Sequence, residues 1–244
     1  MIEARDLVKS FDGKEVLHHL DLEVKDHRTL VILGPSGQGK TVLIKSLAGL
    51  VTPDSGTIFY DGLDILRIGR KQFQEIKKKM AFVFQANALF DFLNVRDNLS
   101  LSLTMHSDLS EREIRERVEE GICFVGLDNS VLEKFPEELS GGMSKRVAIA
   151  RAMIIRPSII FYDEPTTGLD EGNKAKVMEL IGLLKKEVCA TSVVVSHDVQ
   201  LMFDVSDRVA FLKQGRITFY GRKGEVTEAM LRDLYAGGEN NHVA

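Results

Sequence analysis

The chain has 244 residues, 44% of them hydrophobic and 28% charged, which is enough apolar material for a full core. Its formal net charge of -4 disfavours a general nucleic-acid-binding surface, and no apolar run is long enough to span a bilayer. The N-terminus has no signal-peptide pattern, and Cys123 and Cys189 fit no metal or redox spacing. The composition therefore indicates a cytoplasmic protein that binds no nucleic acid and that reaches a membrane only through a partner.

The first segment, residues 2–24, predicts antiparallel strands. Apolar and polar residues alternate, most clearly at Leu20, Leu22 and Val24, and the turn at residues 12–14 joins two strands. Phe11 lies beside this turn. By position alone it is more simply a half-buried strand residue than a platform on which a nucleotide base stacks.

The next stretch matches the phosphate-loop pattern G-x-x-x-x-G-K-[ST] at every fixed position. It consists of Gly34, Pro35, Ser36, Gly37, Gln38, Gly39, Lys40 and Thr41. The apolar run 30–33 predicts a buried strand before it, and residues 42–48 predict a helix after it, which is the context that the motif requires. The glycines let backbone N–H groups face phosphate oxygens, while Lys40 would contact the β- and γ-phosphates and Thr41 would bind Mg²⁺.

Residues 57–85 predict two strands separated by a basic helix. A short strand at 57–60 is followed by the basic run 70–79, which is typical of a solvated helix face. The apolar strand 80–84 then ends at Gln85. A polar residue that closes a buried strand lies where α/β folds bind ligands, although a glutamine that simply faces water would give the same pattern.

Residues 94–133 have a helical pattern without an apparent parallel strand, which indicates a helical insertion into an α/β core. Ser110 and Glu113 form a capping box. Apolar residues then recur on one helical face, at Ile114, Val118, Ile122 and Val125. Further on, Gly141 and Gly142 precede a helix predicted over 144–155. They are either a flexible N-cap or a second anion-binding helix start.

Two more strands are predicted to end in polar residues. The apolar strand 159–162 leads into Asp163 and Glu164. In a phosphate-loop fold, the first acid suits the magnesium shell and the second suits a water-activating base. The strand 192–195 leads to His197. A lone histidine is usually structural, but this one follows a buried strand at the sheet edge predicted to carry ligands.

The last part of the chain predicts a hairpin and a helix. Strands at 209–212 and 217–220 flank a turn at 213–216, and an amphipathic helix over about 225–235 precedes a polar tail.

These motifs, in this order, resemble the nucleotide-binding subunit of ABC transporters, and the resemblance covers residues 2–221. In chain order they are the Walker A loop (34–41), the Q-loop (Gln85), the signature (139–142, with Ser140, Gly141 and Gly142), the Walker B strand with its catalytic glutamate (159–164), the D-loop ending in Asp170 and the switch histidine (His197). The resemblance also favours the adenine-stacking role for Phe11.

The resemblance implies an α/β fold. Its core would be a P-loop NTPase (RecA-like) domain with an N-terminal antiparallel β-subdomain and an inserted α-helical subdomain. On this basis residues 1–222 form the ABC ATPase domain, with the helical subdomain at about 86–155, and residues 223–244 form a C-terminal helix and tail.

The resemblance also implies ATP hydrolysis with ATP and Mg²⁺. Glu164 would polarise the attacking water, His197 would contact the γ-phosphate, and Gln85 would sense the magnesium ion that Thr41 and Asp163 bind. One cassette cannot complete a site alone, so a second copy would cover the γ-phosphate with Ser140 and Gly142 in a head-to-tail homodimer. An integral-membrane permease would dock near residues 85–94, which places the chain at the cytoplasmic face of the inner membrane.

Within the superfamily, two stretches look most similar to the ATPases of Mla/Mce-type phospholipid transport systems. They are residues 84–91 with 94–95, and residues 139–146 with Met143 where many relatives have Gln or Glu. The short segment 231–235 resembles that group as well. Phospholipid transport is therefore expected. The alternatives are import of another small solute, or a cell-division ATPase that signals through a membrane partner without transport.

Overall fold

The structure is a computed structural model that describes residues 1–236. Within this range the chain divides into two compact units. One contains Met1–Gln74 together with the chain from Thr191 onward, and the other contains Glu75–Ala190. The predicted polar tail beyond residue 236 lies outside the described residues.

The described residues form ten β-strands, eight α-helices and three short 3-10 helices. The strands are β1 (Ile2–Phe11), β2 (Lys14–Val24), β3 (Thr29–Leu33), β4 (Ser55–Tyr60), β5 (Leu63–Asp64), β6 (Met80–Val83), β7 (Ile159–Asp163), β8 (Thr191–Ser196), β9 (Arg208–Lys213) and β10 (Arg216–Arg222). The α-helices are α1 (Lys40–Leu47), α2 (Arg70–Lys77), α3 (Val95–His106), α4 (Glu111–Phe124), α5 (Gly141–Ile154), α6 (Glu171–Val188), α7 (Val199–Val205) and α8 (Glu228–Tyr235). The 3-10 helices are Asn129–Glu133, Pro136–Glu138 and Lys223–Glu225.

The first unit contains an antiparallel sheet in the order β2-β1-β4-β5. The two-residue turn between β1 and β2 has positive φ angles at Asp12 and Gly13, the conformation that a tight hairpin requires. Residues at alternate positions, such as Leu20, Leu22 and Val24, are buried. The predicted N-terminal hairpin is therefore confirmed.

The same unit contains parallel strands. β3 pairs in parallel with β8 and with β9, and β10 returns antiparallel to β9. Every residue of β3 and β8 is buried, as expected for parallel strands covered on both faces. Because β3 leads into the phosphate loop and β8 leads to His197, these parallel neighbours end at the same edge.

In the second unit, β6 and β7 are parallel and in register from Met80 opposite Ile159. Helices α3, α4 and α5 pack against one another. Ser110 and Glu113 form the predicted capping box at the start of α4, and Val118 and Ile122 are fully buried. The helical pattern predicted for residues 94–133 is confirmed. None of the described helices is both long and apolar enough to cross a membrane.

Two helix starts differ from the sequence prediction because a capping residue was not identified. The helix expected from residue 144 begins at Gly141, since the Ser140 side chain accepts a hydrogen bond from the Met143 backbone. The last helix begins at Glu228 because Thr227 caps it, and residues Lys223–Glu225 form a separate 3-10 turn.

Candidate active site

The phosphate loop lies between β3 and α1 and depends on three glycines. Gly37 and Gly39 have φ angles of 77° and 95°, where a side chain would strain the backbone. A Cβ atom at Gly34 would overlap the carbonyl oxygen of Leu212 on β9. The first turn of α1 contains no acidic residue, and no side chain caps it. The loop and the helix start therefore suit an anion.

Lys40 is buried with its amine inside this loop. Its Nζ donates hydrogen bonds to the carbonyl oxygens of Gly34, at 2.7 Å, and Pro35, at 2.9 Å. Thr41 follows as the second residue of α1 and is half-buried. The positive charge and the hydroxyl are thus placed next to the phosphate-binding backbone.

The outer part of the loop is attached to the hairpin of β9 and β10. The Gln38 side-chain Oε1 accepts a hydrogen bond from the backbone N–H of Gln214, at 2.5 Å. Ser36 and Gly37 are exposed. The Gln38 contact fixes the loop from outside while its tip stays open to solvent.

Phe11 lies at the end of β1, next to the hairpin turn. Its side chain is 46% exposed, and the Lys9 amine lies 5.2 Å from the ring centroid. The ring is therefore not part of the core. Stacking on adenine stays a prediction.

His197 follows β8 directly and is exposed. The next residue, Asp198, caps α7 by accepting hydrogen bonds from two backbone N–H groups. The His197 carbonyl accepts a hydrogen bond from the Tyr235 hydroxyl, at 2.9 Å, and the Asp198 N–H donates to Ser196 Oγ, at 3.0 Å. The short connection between β8 and α7 is therefore fixed at several points.

In the second unit, β7 ends in two buried carboxylates. Asp163 is 3% exposed and Glu164 is 8% exposed. Glu164 has a φ of 48°, a left-handed conformation that costs a non-glycine residue about 1–2 kcal/mol. The Thr167 hydroxyl donates to Glu164 Oε2, at 3.2 Å. Buried acids in a strained backbone are a common feature of functional sites.

Gln85 is exposed, and its backbone is bound by a buried lysine that we did not predict. Lys145 of α5 is 2% exposed, and its Nζ donates to the carbonyl oxygens of Gln85, at 2.7 Å, and Phe84, at 3.3 Å. Burial lowers the pKa of Lys145 to about 8, while the negative charge of Asp163 acts in the opposite direction. Lys145 thus lies near both the Q-loop backbone and the acidic strand end.

Arg151, also on α5, binds the next part of the same segment. Its guanidinium donates to the carbonyl oxygens of Ala88, at 2.6 Å, and Asn87, at 2.8 Å. Both of these loop residues have positive φ angles, of 49° and 63°. Burial lowers the pKa of Arg151. The segment 84–88 is thus fastened to α5 through four main-chain carbonyls.

The signature residues form the start of α5. Ser140 is the N-cap, and both Ser140 and Gly141 are exposed at the end of a 14-residue helix. The first turn contains no acidic residue. An exposed helix N-terminus of this kind suits an anionic ligand, whereas the interpretation of the glycines as a flexible N-cap does not fit their helical position.

Gly142 connects the signature to the D-loop. It is buried, and a Cβ atom there would overlap the side chain of Asn173. Asn173 in turn donates from its backbone N–H and its side chain to the Asp170 carboxylate, at 2.9 and 2.6 Å. These hydrogen bonds lower the pKa of the Asp170 carboxyl. A side chain at residue 142 would therefore have to displace the Asn173 amide from its contact with Asp170.

Each unit contributes residues whose chemistry suits magnesium, and their sharing of one ion stays a prediction. The Thr41 hydroxyl, the Asp163 carboxylate and the Gln85 side chain all offer oxygen atoms, which Mg²⁺ prefers. Residues 1–236 contain no cluster of three or more His, Cys, Asp or Glu side chains that could hold a metal ion. Magnesium at nucleotide sites is usually held by one or two protein oxygens together with phosphates.

A glycine-dependent phosphate loop between a parallel strand and a helix defines a phosphate-loop nucleotide-binding protein. The family model described as ABC transporter matches residues 17–167, more than half of the chain, and the chain belongs to this family. The predicted resemblance to ABC ATP-binding subunits is confirmed.

Solved structures show the same fold. The ATP-binding cassette MJ0796, in a dimeric structure bound to ADP and Pi, has a TM-score of 0.84 and 30% identity over 91% of this chain and 98% of its own. The protein cbiO1 of Clostridium perfringens, part of the ABC transporter complex cbiONQ, has a TM-score of 0.80 and 29% identity over 98% of this chain and 91% of its own. The predicted fold class is confirmed.

Similar curated proteins are named for the transport of different substrates. A probable ribonucleotide transport ATP-binding protein of Mycobacterium leprae is 38% identical over 90% of this chain and 63% of its own length. The intermembrane phospholipid transport ATP-binding protein MlaF of Haemophilus influenzae is 34% identical over 94% and 86%. A spermidine/putrescine import ATP-binding protein of Marinobacter nauticus is 39% identical over 93% and 59%. This chain thus spans less than two thirds of the length of some relatives.

Proposed function

We propose that this chain is the ATP-hydrolysing subunit of an ABC transporter. The observation that carries the proposal is the complete phosphate loop, with the Lys40 amine buried inside it, in a chain of the ABC transporter family. A relative whose solved structure holds ADP and Pi supports hydrolysis as the activity.

Each residue of the site then has a defined task. Lys40 binds the β- and γ-phosphates. Thr41, Asp163 and Gln85 are the residues that would offer oxygen ligands to magnesium. The ion, when bound, neutralises charge that develops on the phosphates. Glu164 accepts a proton from the attacking water, and His197 donates a hydrogen bond to the γ-phosphate. Phe11 stacks on adenine.

A second copy of the chain completes the site. The exposed start of α5 at Ser140 and Gly141 is directed at the nucleotide of the partner, because a single chain has only one signature for its one phosphate loop. Ser140 and Gly142 would cover the γ-phosphate of the partner's nucleotide. Gly142 also packs against Asn173, which donates to Asp170. The dimeric structures of MJ0796 support dimerisation, and the head-to-tail arrangement is our proposal.

The segment after Gln85 is the proposed docking surface for a membrane permease. Phe92 is 77% exposed and Phe90 is 43% exposed, and their rings lie 5.7 Å apart. The Asn98 side chain of α3 accepts a hydrogen bond from the Phe90 N–H and donates one to the Phe90 carbonyl. These bonds fix the loop backbone, while the two rings remain exposed. Exposed apolar clusters of this kind are typical of interaction surfaces.

We infer phospholipid as the cargo from the similarity to the MlaF protein. The names of the other relatives make import of another small solute the alternative, and a cell-division ATPase without transport is a third. If the chain powers transport, it acts at the cytoplasmic face of the inner membrane. The division into an ATPase domain at 1–222, with its helical subdomain at 86–155, and a C-terminal segment at 223–244 is part of the same proposal.

The substitution Glu164→Gln tests the activity. The amide keeps the shape of the side chain but cannot accept the proton, so we expect ATP binding to persist while hydrolysis falls at least 100-fold. ATP should then produce a stable dimer, measured by size-exclusion chromatography. The control is Glu179→Gln on the exposed side of α6, which should hydrolyse ATP normally. Normal hydrolysis by Glu164→Gln would show that another group is the base.

A further inference from the structure

We propose that Tyr235, in the last turn of α8, is a positioning residue for His197. The proposal rests on the proposed function, in which His197 contacts the γ-phosphate. Its basis is the hydrogen bond of 2.9 Å from the Tyr235 hydroxyl to the His197 carbonyl oxygen, across 38 residues of sequence.

This hydrogen bond acts on one particular peptide plane. The His197 carbonyl and the Asp198 N–H belong to the same peptide group, which is planar. Tyr235 binds the carbonyl, and Ser196 Oγ accepts from the N–H at 3.0 Å. The plane is therefore held at both of its polar ends, and rotation of it would break both hydrogen bonds.

The orientation of this plane is one of the factors that set where the imidazole points. His197 is exposed, so its ring is not enclosed by a packed core. Two side-chain torsions and the backbone angles of residue 197 set the position of its ring nitrogens. Because a catalytic hydrogen bond loses strength when it is misplaced by about 1 Å, a fixed peptide plane favours the productive ring position.

Helix α8 is itself anchored in the same unit. Leu234 is buried, and the Lys213 amine at the end of β9 donates to the Asp233 carbonyl and lies 3.4 Å from its carboxylate. The residue after Lys213 is Gln214, whose N–H binds Gln38 of the phosphate loop. One short helix thus supports both His197 and the hairpin that holds the phosphate loop.

The test is Tyr235→Phe, which removes the hydroxyl and keeps the ring. The matched control is Tyr220→Phe, because the Tyr220 hydroxyl also donates to a backbone carbonyl, that of Glu23, at 3.0 Å. We expect Tyr235→Phe to lower kcat for ATP about 3- to 10-fold with an unchanged KM, because a misplaced His197 ring would bind the transition state less well. Tyr220→Phe should keep the wild-type kcat.

Thermal stability separates positioning from general destabilisation. Each variant loses one hydrogen bond to a carbonyl, so both thermal midpoints should fall by a similar amount, about 2–4 °C. Equal losses of kcat in both variants, or a wild-type kcat in Tyr235→Phe, would overturn the positioning role.

Two further measurements distinguish this proposal from the proposed function. If His197→Ala hydrolyses ATP at the wild-type rate, the role of His197 itself is wrong. The imidazole NMR signals of His197, assigned by their loss in His197→Ala, should shift in Tyr235→Phe and stay unchanged in Tyr220→Phe. Unchanged signals in Tyr235→Phe would overturn the connection between α8 and His197, whatever His197→Ala shows.

Discussion

Three cationic side chains of this protein, two buried and one half-buried, donate to main-chain carbonyls. Lys40, Lys145 and Arg151 each donate to two carbonyl oxygens from consecutive residues. A buried cation is costly unless it is hydrogen-bonded, and carbonyls compensate it without neutralising its charge. Each of these three residues therefore holds a loop backbone in shape through two hydrogen bonds.

The substitution Lys40→Ala is the direct test of the phosphate loop. It removes the cation that would neutralise the β- and γ-phosphates, and we expect hydrolysis at saturating ATP to fall to near background. The measurement is steady-state phosphate release. Lys45→Ala, one turn further along α1, is the control and should retain most of the activity. Wild-type turnover by Lys40→Ala would contradict the phosphate-loop assignment.

Some residues of the site could be predicted and others could not. The phosphate loop, Asp163 and Glu164 follow from local spacing and from the strands that precede them. Lys145 and Tyr235 act on partners about 60 and 38 residues away, and no local pattern contains such a contact. The single signal for Lys145 was its place on a helical face that is otherwise buried, at the spacing of Gly142 and Ile149.

At the level of elements, strands and helices were largely predictable because their periodicities are local. The boundaries were less so. The starts of α5 and α8 were misplaced by about three residues because Ser140 and Thr227 were not identified as caps. This difference matters for function, since it moves Gly141 and Gly142 from a loop into the first turn of α5.

The loop between β6 and α3 supports a prediction about the partner. Phe92→Ala should weaken capture of the permease at least 5-fold in detergent pull-downs, because the ring is 77% exposed and available to a partner. The thermal midpoint and the ATP affinity of the isolated chain should stay unchanged. Met105→Ala, which removes a 66% exposed side chain at the end of α3, is the control and should bind normally.

Two outcomes would contradict this prediction. A large loss of stability in Phe92→Ala would identify the ring as a packing residue. Normal permease capture by Phe92→Ala would place the docking surface elsewhere.

On the scale of the whole molecule, the chain carries one phosphate loop and one signature, in different compact units. In the proposed homodimer, each nucleotide would meet the phosphate loop of one copy and Ser140 of the other. A homodimer in which both chains carry Lys40→Ala, or both carry Ser140→Arg, should therefore not hydrolyse ATP.

Mixing the two defective proteins tests this arrangement. In a mixed dimer one site has both defects and the other has neither, so part of the activity should return. At equal concentrations with random exchange, about half of the dimers are mixed and each has one intact site. We expect recovery of about a quarter of the wild-type rate if sites act independently. No recovery, after subunit exchange has been demonstrated by fluorescence, would contradict the head-to-tail dimer.

The hydrogen bonds between α5 and the backbone of residues 84–88 affect which sequence changes this segment can accept. Lys145 and Arg151 donate hydrogen bonds to main-chain carbonyl oxygens, which every amino acid has. Mutations that change the side chains of the segment therefore leave these hydrogen bonds intact, provided that any residue replacing Asn87 or Ala88 can adopt the left-handed backbone found there. If the neighbouring loop is the docking surface proposed above, its side chains can change to fit a different membrane partner while α5 keeps its contacts to segment 84–88. Substitutions on the exposed side of the loop are therefore expected to change what it binds without loosening its attachment to α5.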